Sequence, residues 1–229
     1  MYNKLRFLYR RTGQLNVLLI SLTLFSITLV VFRAMNTGER TYNFMLWNLF
    51  LAAVPLLLSR FVIAPLARRG AGLVFYGFVF LWLMFLPNAP YIITDFIHLV
   101  EGEGMPLWYD LLLLAFFAWE GFLLGFISVA EMERLATRMY SALAGKWFAL
   151  MSLVLSSLGV YMGRFMRYNS WDIFISPGEI ITGVGSRLLN PRAYPGLYGM
   201  IIILSVLLIT LYGFYKRAEP AVVKTPAGK

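Results

Sequence analysis

The sequence predicts an all-α protein: a polytopic transmembrane helical bundle of about six spans, with a short re-entrant or interfacial half-helix after Pro90. Three observations carry that expectation. Hydrophobic residues make up 60% of the 229 positions and charged residues 14%, against the roughly 25% charged of an average soluble domain. The apolar residues gather in runs long enough to cross a bilayer, separated by short polar segments. The Lys and Arg residues behind the net charge of +9 lie between those runs and never collect in a soluble domain. That distribution assigns the basic balance to anionic lipid at a membrane surface rather than to nucleic acid.

Residues 1–14 carry Lys4, Arg6, Arg10 and Arg11 and read as a basic cytoplasmic N-terminus. The first span, 15–32, is longer than the apolar core of a signal peptide and leads into Val31-Phe-Arg-Ala-Met-Asn36 without a small-x-small cleavage site, so an uncleaved span is expected. The second span, 42–63, contains Pro55, expected to kink it, and Arg60, placed to snorkel to the interface. Arg68-Arg69-Gly70 closes the turn. A third, short span over 72–86 is expected to end sharply at Pro87. Pro90 then suits the first turn of a new helix, and Tyr91–Leu99 is too short to cross alone. After the acidic connector Glu101-Gly-Glu-Gly-Met-Pro106, the fourth span covers 108–130, and 131–146 reads as a charged loop. The fifth and sixth spans cover 147–163 and 197–215. The 33 residues between them are rich in Gly, Pro, Asn and Arg but also in aromatic residues, which favours an ordered loop or interfacial helix. Residues 15–215 thus form a single transmembrane domain, and 216–229 read as a disordered cytoplasmic tail.

Six spans put the N-terminus, the turns near 68 and 138 and the C-terminus on one side. That side holds 14 of the 20 Lys and Arg, so both termini are expected in the cytoplasm. The Pro87–Leu99 stretch and the long fifth loop then face outward.

In an otherwise apolar setting, Pro87, Asn88, Pro90, Asp95 and the chain's sole histidine, His98, fall within twelve residues. Each is costly in hydrocarbon unless it meets protein or water. On a helix from Pro90, Tyr91, Asp95 and His98 share a face with Thr94 beside them. Asp95 and His98 are the candidate catalytic pair, suited to general acid/base work, and Asn88 and Tyr91 are candidate substrate-binding residues. The alternative is that Asn88 and Asp95 brace a broken helix. A metal held by Asp95 and His98 is short of ligands, and no metal or cofactor is expected. Arg164 and Arg167, one helical turn apart, form a fork for phosphate or carboxylate, with Trp171 and Asp172 completing the substrate-binding set. The competing reading pairs these outer arginines with Asp95, Glu101, Asp110 or Asp172. Glu120 sits near the middle of the fourth span as an intramembrane ionisable residue, where it must be protonated, paired or wet; Ser156 and Ser157 are the expected partners if it is paired. Gly121-x-x-x-Gly125 and Gly159-x-x-x-Gly163 mark close helix packing, with each other or in a homo-oligomer. The tryptophans 47, 82, 108, 147 and 171 lie near expected span ends and suit an interfacial belt.

Three blocks carry a resemblance: Trp82-Leu-Met-Phe-Leu-Pro-Asn-Ala-Pro-Tyr-Ile-Ile-Thr-Asp-Phe-Ile-His-Leu99, Pro106-Leu-Trp-Tyr-Asp110, and Gly163-Arg-Phe-Met-Arg-Tyr-Asn-Ser-Trp-Asp172. The chain resembles the bacterial integral-membrane family known as domain of unknown function 1361, from about residue 20 to 215, with no motif match claimed over Gly178–Gly196. The resemblance implies a multi-span protein of the bacterial cytoplasmic (inner) membrane and transfers no reaction and no catalytic residues. Absence of cysteine, of a nucleotide-binding loop and of an ordered Ser/His/Asp set leaves the enzyme question open. The leading expectation is an outer-facing polar site that binds an anionic lipid-linked or envelope precursor, with Arg164 and Arg167 on the anion. A transporter or channel-like protein using Glu120 and the broken helix is the second reading, and a structural subunit of a membrane complex the third.

Overall fold

The computed structural model describes residues 2–99 and 104–218, with side chains from Leu15 onward, and every described element is helical. Six helices are long and apolar enough to span a membrane: α1 (Tyr2–Thr37, apolar from Leu15), α2 (Phe44–Arg69), α3 (Leu73–His98), α4 (Leu107–Met139), α5 (Ala142–Phe165) and α8 (Pro195–Ala218). Two short helices, α6 (Asp172–Ile175) and α7 (Pro177–Leu188), lie between the last two spans. In hydrocarbon each backbone amide must be paired within its own segment, so apolar runs of this length can only be helices. The basic N-terminal side chains, Glu101 and the tail from residue 219 lie outside the described residues.

The helix at the centre is α4. It packs against α1, α2, α3, α5 and α8, and 72% of its most apolar window is buried, against 17–39% for the other spans. A helix apolar on all sides belongs in the middle of a bundle. Its first half packs against α1 and α2 around Leu113, Leu114 and Phe117. Its second half packs against α5 and α8 around Phe126, Val129 and Ala130.

Three elements differ from the sequence expectation. The regular helix of the third span ends at Phe85, just before Pro87, and a short helix, Asn88–Tyr91, follows as expected, but the pieces run on as one candidate span to His98 and the short helix opens at Asn88 rather than at Pro90. The chain stays in the right-handed helical region through Leu86, Pro87, Tyr91 and Ile92, then tightens into a 3-10 turn over Ile92–His98. A proline lacks only its own donor, and here the neighbouring groups compensate: the Ala89 amide reaches Leu86 O at 3.1 Å, and Asn88 Nδ2 reaches Phe85 O at 2.8 Å.

The charged loop expected over 131–146 is mostly helix. The charged turns of α4 continue to Met139 because their carboxylates have partners. Glu131 accepts from Arg60 Nε at 2.6 Å and Ser59 Oγ at 2.8 Å, while Glu133 takes the Tyr212 hydroxyl and lies 3.5 Å from Lys216 Nζ. Arg60, expected to snorkel, is therefore paired, and its Nη1 also donates to Asn16 Oδ1 at 2.9 Å. It sits in a π-helical stretch, Leu58–Ile63, that follows Pro55; such a wide turn re-aims side chains relative to the regular helix.

Trp82 is not a belt residue. It is fully buried, stacks on Phe148 with centroids 5.6 Å apart, and donates Nε1–H to Ser128 Oγ at 2.7 Å. The other four tryptophans of the expected belt are exposed.

At the end of the bundle opposite Arg60, α1 carries Arg33, which is 1% exposed and forms a two-pronged bond to Asp110 on α4: Nε to Oδ1 at 2.8 Å and Nη2 to Oδ2 at 3.0 Å. Its guanidinium lies 4.6 Å from the centroid of the Tyr42 ring. Of the pairings weighed for Asp110, none included Arg33.

Candidate functional site

The Pro87–Tyr91 stretch is gripped from two sides by glycine. On α4, a Cβ at Gly121 would come within 2.5 Å of Ala89 O, and one at Gly125 within 2.9 Å of Ala89 Cβ. On α5, a Cβ at Gly159 would lie 2.7 Å from Pro87 Cβ and closer still to its Cγ, and one at Gly163 would lie 3.2 Å from the Tyr91 ring. The two small-x-x-x-small faces therefore grip α3 between them rather than meeting each other. This close approach brings the polar residues of α3 up against α5.

The ion pair sits one turn further along. Asp95 is 1% exposed; its Oδ1 meets Arg164 Nη2, and its Oδ2 accepts from Asn48 Nδ2 on α2 at 2.8 Å. Arg164 also donates Nε–H to Thr94 Oγ1 at 2.8 Å, and its guanidinium lies 4.4 Å from the centroid of the Tyr91 ring. Positions i, i+3 and i+4 of one helix thus surround a single guanidinium, using its planar donors and its face. The network joins α2, α3 and α5.

Beside it lies a cavity of about 460 Å³, within the size range of small-molecule sites. Its apolar part comes from Leu51 of α2, Leu83 and Met84 of α3, and Leu155 and Leu158 of α5. Its polar part comes from Asn48, Asn88, Tyr91 and the segment that follows α5: Arg167, Tyr168, Asn169, Ser170 and Trp171. Leu155 precedes Arg167 by 12 residues, nearly all of them in α5, which at 1.5 Å per residue separates apolar and charged ends by roughly 18 Å. The lining contains no Asp or Glu. Arg167 is exposed, forms no ion pair among the described residues, and adopts φ 60°. The left-handed region just past a helix end normally goes to glycine, so an arginine held there is a strained choice.

Four of the candidate substrate-binding residues therefore line one cavity: Asn88, Tyr91, Arg167 and Trp171. Asn88 is anchored there through Nδ2 to Ser170 Oγ at 3.0 Å. Arg164 and Asp95 lie behind the Tyr91 ring, paired with each other. Asp172 closes the turn, accepting the Asn169 amide at 2.7 Å. His98 is exposed, its ring set edge-on to Phe44 with centroids 5.2 Å apart, and its imidazole makes no hydrogen bond to Asp95. Among the described residues no three of His, Cys, Asp and Glu come close enough to hold a metal ion. Glu120 is fully buried but lies outside the cavity lining. Its partners are Thr23 and, at 2.9 Å, Ser26 of α1. Ser156 and Ser157, the expected partners, are not bonded to it; Ser157 turns to Leu153 O.

Sequence reasoning missed Asn48, Asn169 and Ser170. Asn48 had a usable signal, a lone carboxamide five residues into an apolar span. Asn169 and Ser170 had none beyond their place in the loop.

No curated protein and no solved structure matches this chain. The family model described as Protein of unknown function (DUF1361) matches residues 47–211, taking in the Gly178–Gly196 stretch and leaving out α1. With the Pro87–Tyr91 turn, the Asp95–Arg164 pair and the whole cavity lining inside that match, the chain belongs to the DUF1361 family.

Proposed function

We propose that the cavity binds an amphiphile with an anionic head, an anionic lipid or lipid-linked envelope precursor, with its head at Arg167 and its chain along the apolar walls of α2, α3 and α5. The observation that carries this reading is the cavity itself: one unpaired cation at its polar end, no carboxylate in its lining, and apolar side chains continuing down three membrane helices. A free guanidinium bonds phosphate oxygens in two-pronged fashion. Arg164 acts as a positioning residue, holding Tyr91 and the end of α3 against α5 while Arg167 meets the ligand. The Lys and Arg bias supports an outward-facing site with both termini in the cytoplasm, and the setting proposed is a bacterial inner membrane.

Native mass spectrometry of the purified full chain, with phosphatidylglycerol as probe, tests the reading. Arg167→Ala is expected to lower specific retention by at least about tenfold, the loss of a charge-assisted bond, while leaving the unfolding midpoint unchanged. Equal retention of the anionic lipid by wild type and variant, each of them folded, would sink the proposal.

A further inference from the structure

Three asparagines line the cavity, and each has its amide nitrogen committed. Asn48 Nδ2 donates to Asp95 at 2.8 Å, Asn88 Nδ2 to Phe85 O at 2.8 Å and to Ser170 Oγ at 3.0 Å, and Asn169 Nδ2 to Asp172 at 3.3 Å. A carboxylate or backbone carbonyl can only accept, so these partners fix which way each amide is turned. What remains is the carbonyl end, and none of the three Oδ1 atoms receives a hydrogen bond among the described residues. The lining therefore combines one cation, for an anionic group, with three unused acceptors, for donors on the ligand. A head bearing only a phosphate satisfies the first and leaves the second empty. An ammonium head would supply donors, but the lining offers it no carboxylate and sets Arg167 against it.

We infer that the ligand's head carries hydroxyl groups beside its anionic group, as in a polyol or sugar phosphodiester lipid, and that Asn48, Asn88 and Asn169 accept hydrogen bonds from those hydroxyls. The inference rests on the anionic-amphiphile reading above and narrows it. Hydroxyl recognition by acceptors that the ligand itself covers is selective, because a ligand that covers them without offering a hydroxyl leaves them desolvated and unpaired. Trp171, 39% exposed beside Ser170, adds an aromatic face with a polar tip suited to such a head.

Two lipids with identical acyl chains separate the possibilities: phosphatidylglycerol, and phosphatidylmethanol, the same singly charged phosphodiester without hydroxyls. Retention of each by the full-length protein is measured in native mass spectrometry by competition. The expected result is a preference for phosphatidylglycerol of roughly three- to tenfold, the range of one hydrogen bond. Asn169→Ala is expected to reduce that preference while leaving phosphatidylmethanol retention unchanged, and Asn88→Ala provides a second, independent loss. Arg167→Ala is expected to weaken both lipids together. Equal retention of the two lipids, both dependent on Arg167, would overturn the hydroxyl inference and leave the anionic site standing. Retention of neither in an Arg167-dependent way would overturn the anionic reading and this inference with it. A preference that survives both asparagine variants, each with a wild-type unfolding midpoint, would also overturn it.

Discussion

Gly159→Ala and Gly121→Ala are each expected to destabilise the folded protein by about 1–3 kcal/mol, the usual cost of forcing an added methyl into a packed interior. The partners explain why neither clash can relax. The atoms that meet a Cβ at Gly159 belong to the Pro87 ring, and the nearest one at Gly121 is the Ala89 carbonyl oxygen, ahead of Ile92 Cδ1; neither the ring nor the carbonyl is the free end of a flexible side chain. Moving α3 away from one glycine drives it into the other helix, so the double variant is expected to lose more than the sum of the singles, the signature of coupled neighbours. Gly77→Ala, on the same α3 but with nothing within 4 Å of its Cβ, is the control and is expected to unfold within about 0.5 kcal/mol of wild type, as surface substitutions do. Reversible unfolding in bicelles reads all four. A Gly159→Ala protein as stable as the Gly77→Ala control would show that the two helices are not in close contact through this face.

Breaking the Asp95–Arg164 pair from one side is expected to cost about 3–5 kcal/mol, because it leaves a charge without its partner in a dry setting. Asp95 keeps only the Asn48 amide when Arg164 is changed to Met, and its side chain is 2% exposed. The double variant Asp95→Asn with Arg164→Met removes both charges and is expected to recover a large part of the loss. Arg164→Lys is expected to behave nearly as badly as Arg164→Met, since an ammonium cannot reach Asp95 and Thr94 while lying flat on the Tyr91 ring. A double-variant cycle with a coupling below about 0.5 kcal/mol, the value of an exposed pair, would remove the network from any account of how α3 is held. The same experiment separates the two arginines. Arg164 variants should shift the unfolding curve, and Arg167→Ala should shift lipid retention alone.

Apolar runs made the six spans legible in the sequence, because a continuous apolar run of that length satisfies its own backbone in hydrocarbon as a helix. Helix ends were harder, since charge was taken as the end of a helix. Glu131 and Glu133 keep α4 going for another two turns because Arg60, Tyr212 and Lys216 come to meet them from helices far away in sequence. Pro87 was taken as the sharp end of the third span, and the regular helix does end at Phe85; its next two neighbours, Asn88 and Ala89, offset the missing donor, so the chain stays helical and Pro90 falls inside the short helix rather than opening it. The polar residues were recognisable as a group from their cost alone. Partner choice was not, because the same guanidinium geometry serves a ligand and a neighbouring aspartate. Arg164 took the aspartate, and Arg167, three residues on, was left facing the cavity. Glu120 shows the same limit, its hydroxyl partners lying on α1 some 94–97 residues away.

The grip on α3 also bears on how the protein is made. During synthesis α3 enters the membrane before α4 and α5 exist, carrying two prolines, an asparagine and an aspartate that a translocon reads as unfavourable. Asn48 is already in place for Asp95, but Arg164 arrives 69 residues later, and the glycine faces that receive Pro87 and Ala89 come with the same later helices. The third span is therefore expected to wait, shielded or only partly inserted, until the fifth emerges. A ribosome-bound chain truncated before α5 should leave residues near Asp95 open to water-soluble labelling, and one extended past Arg167 should close them.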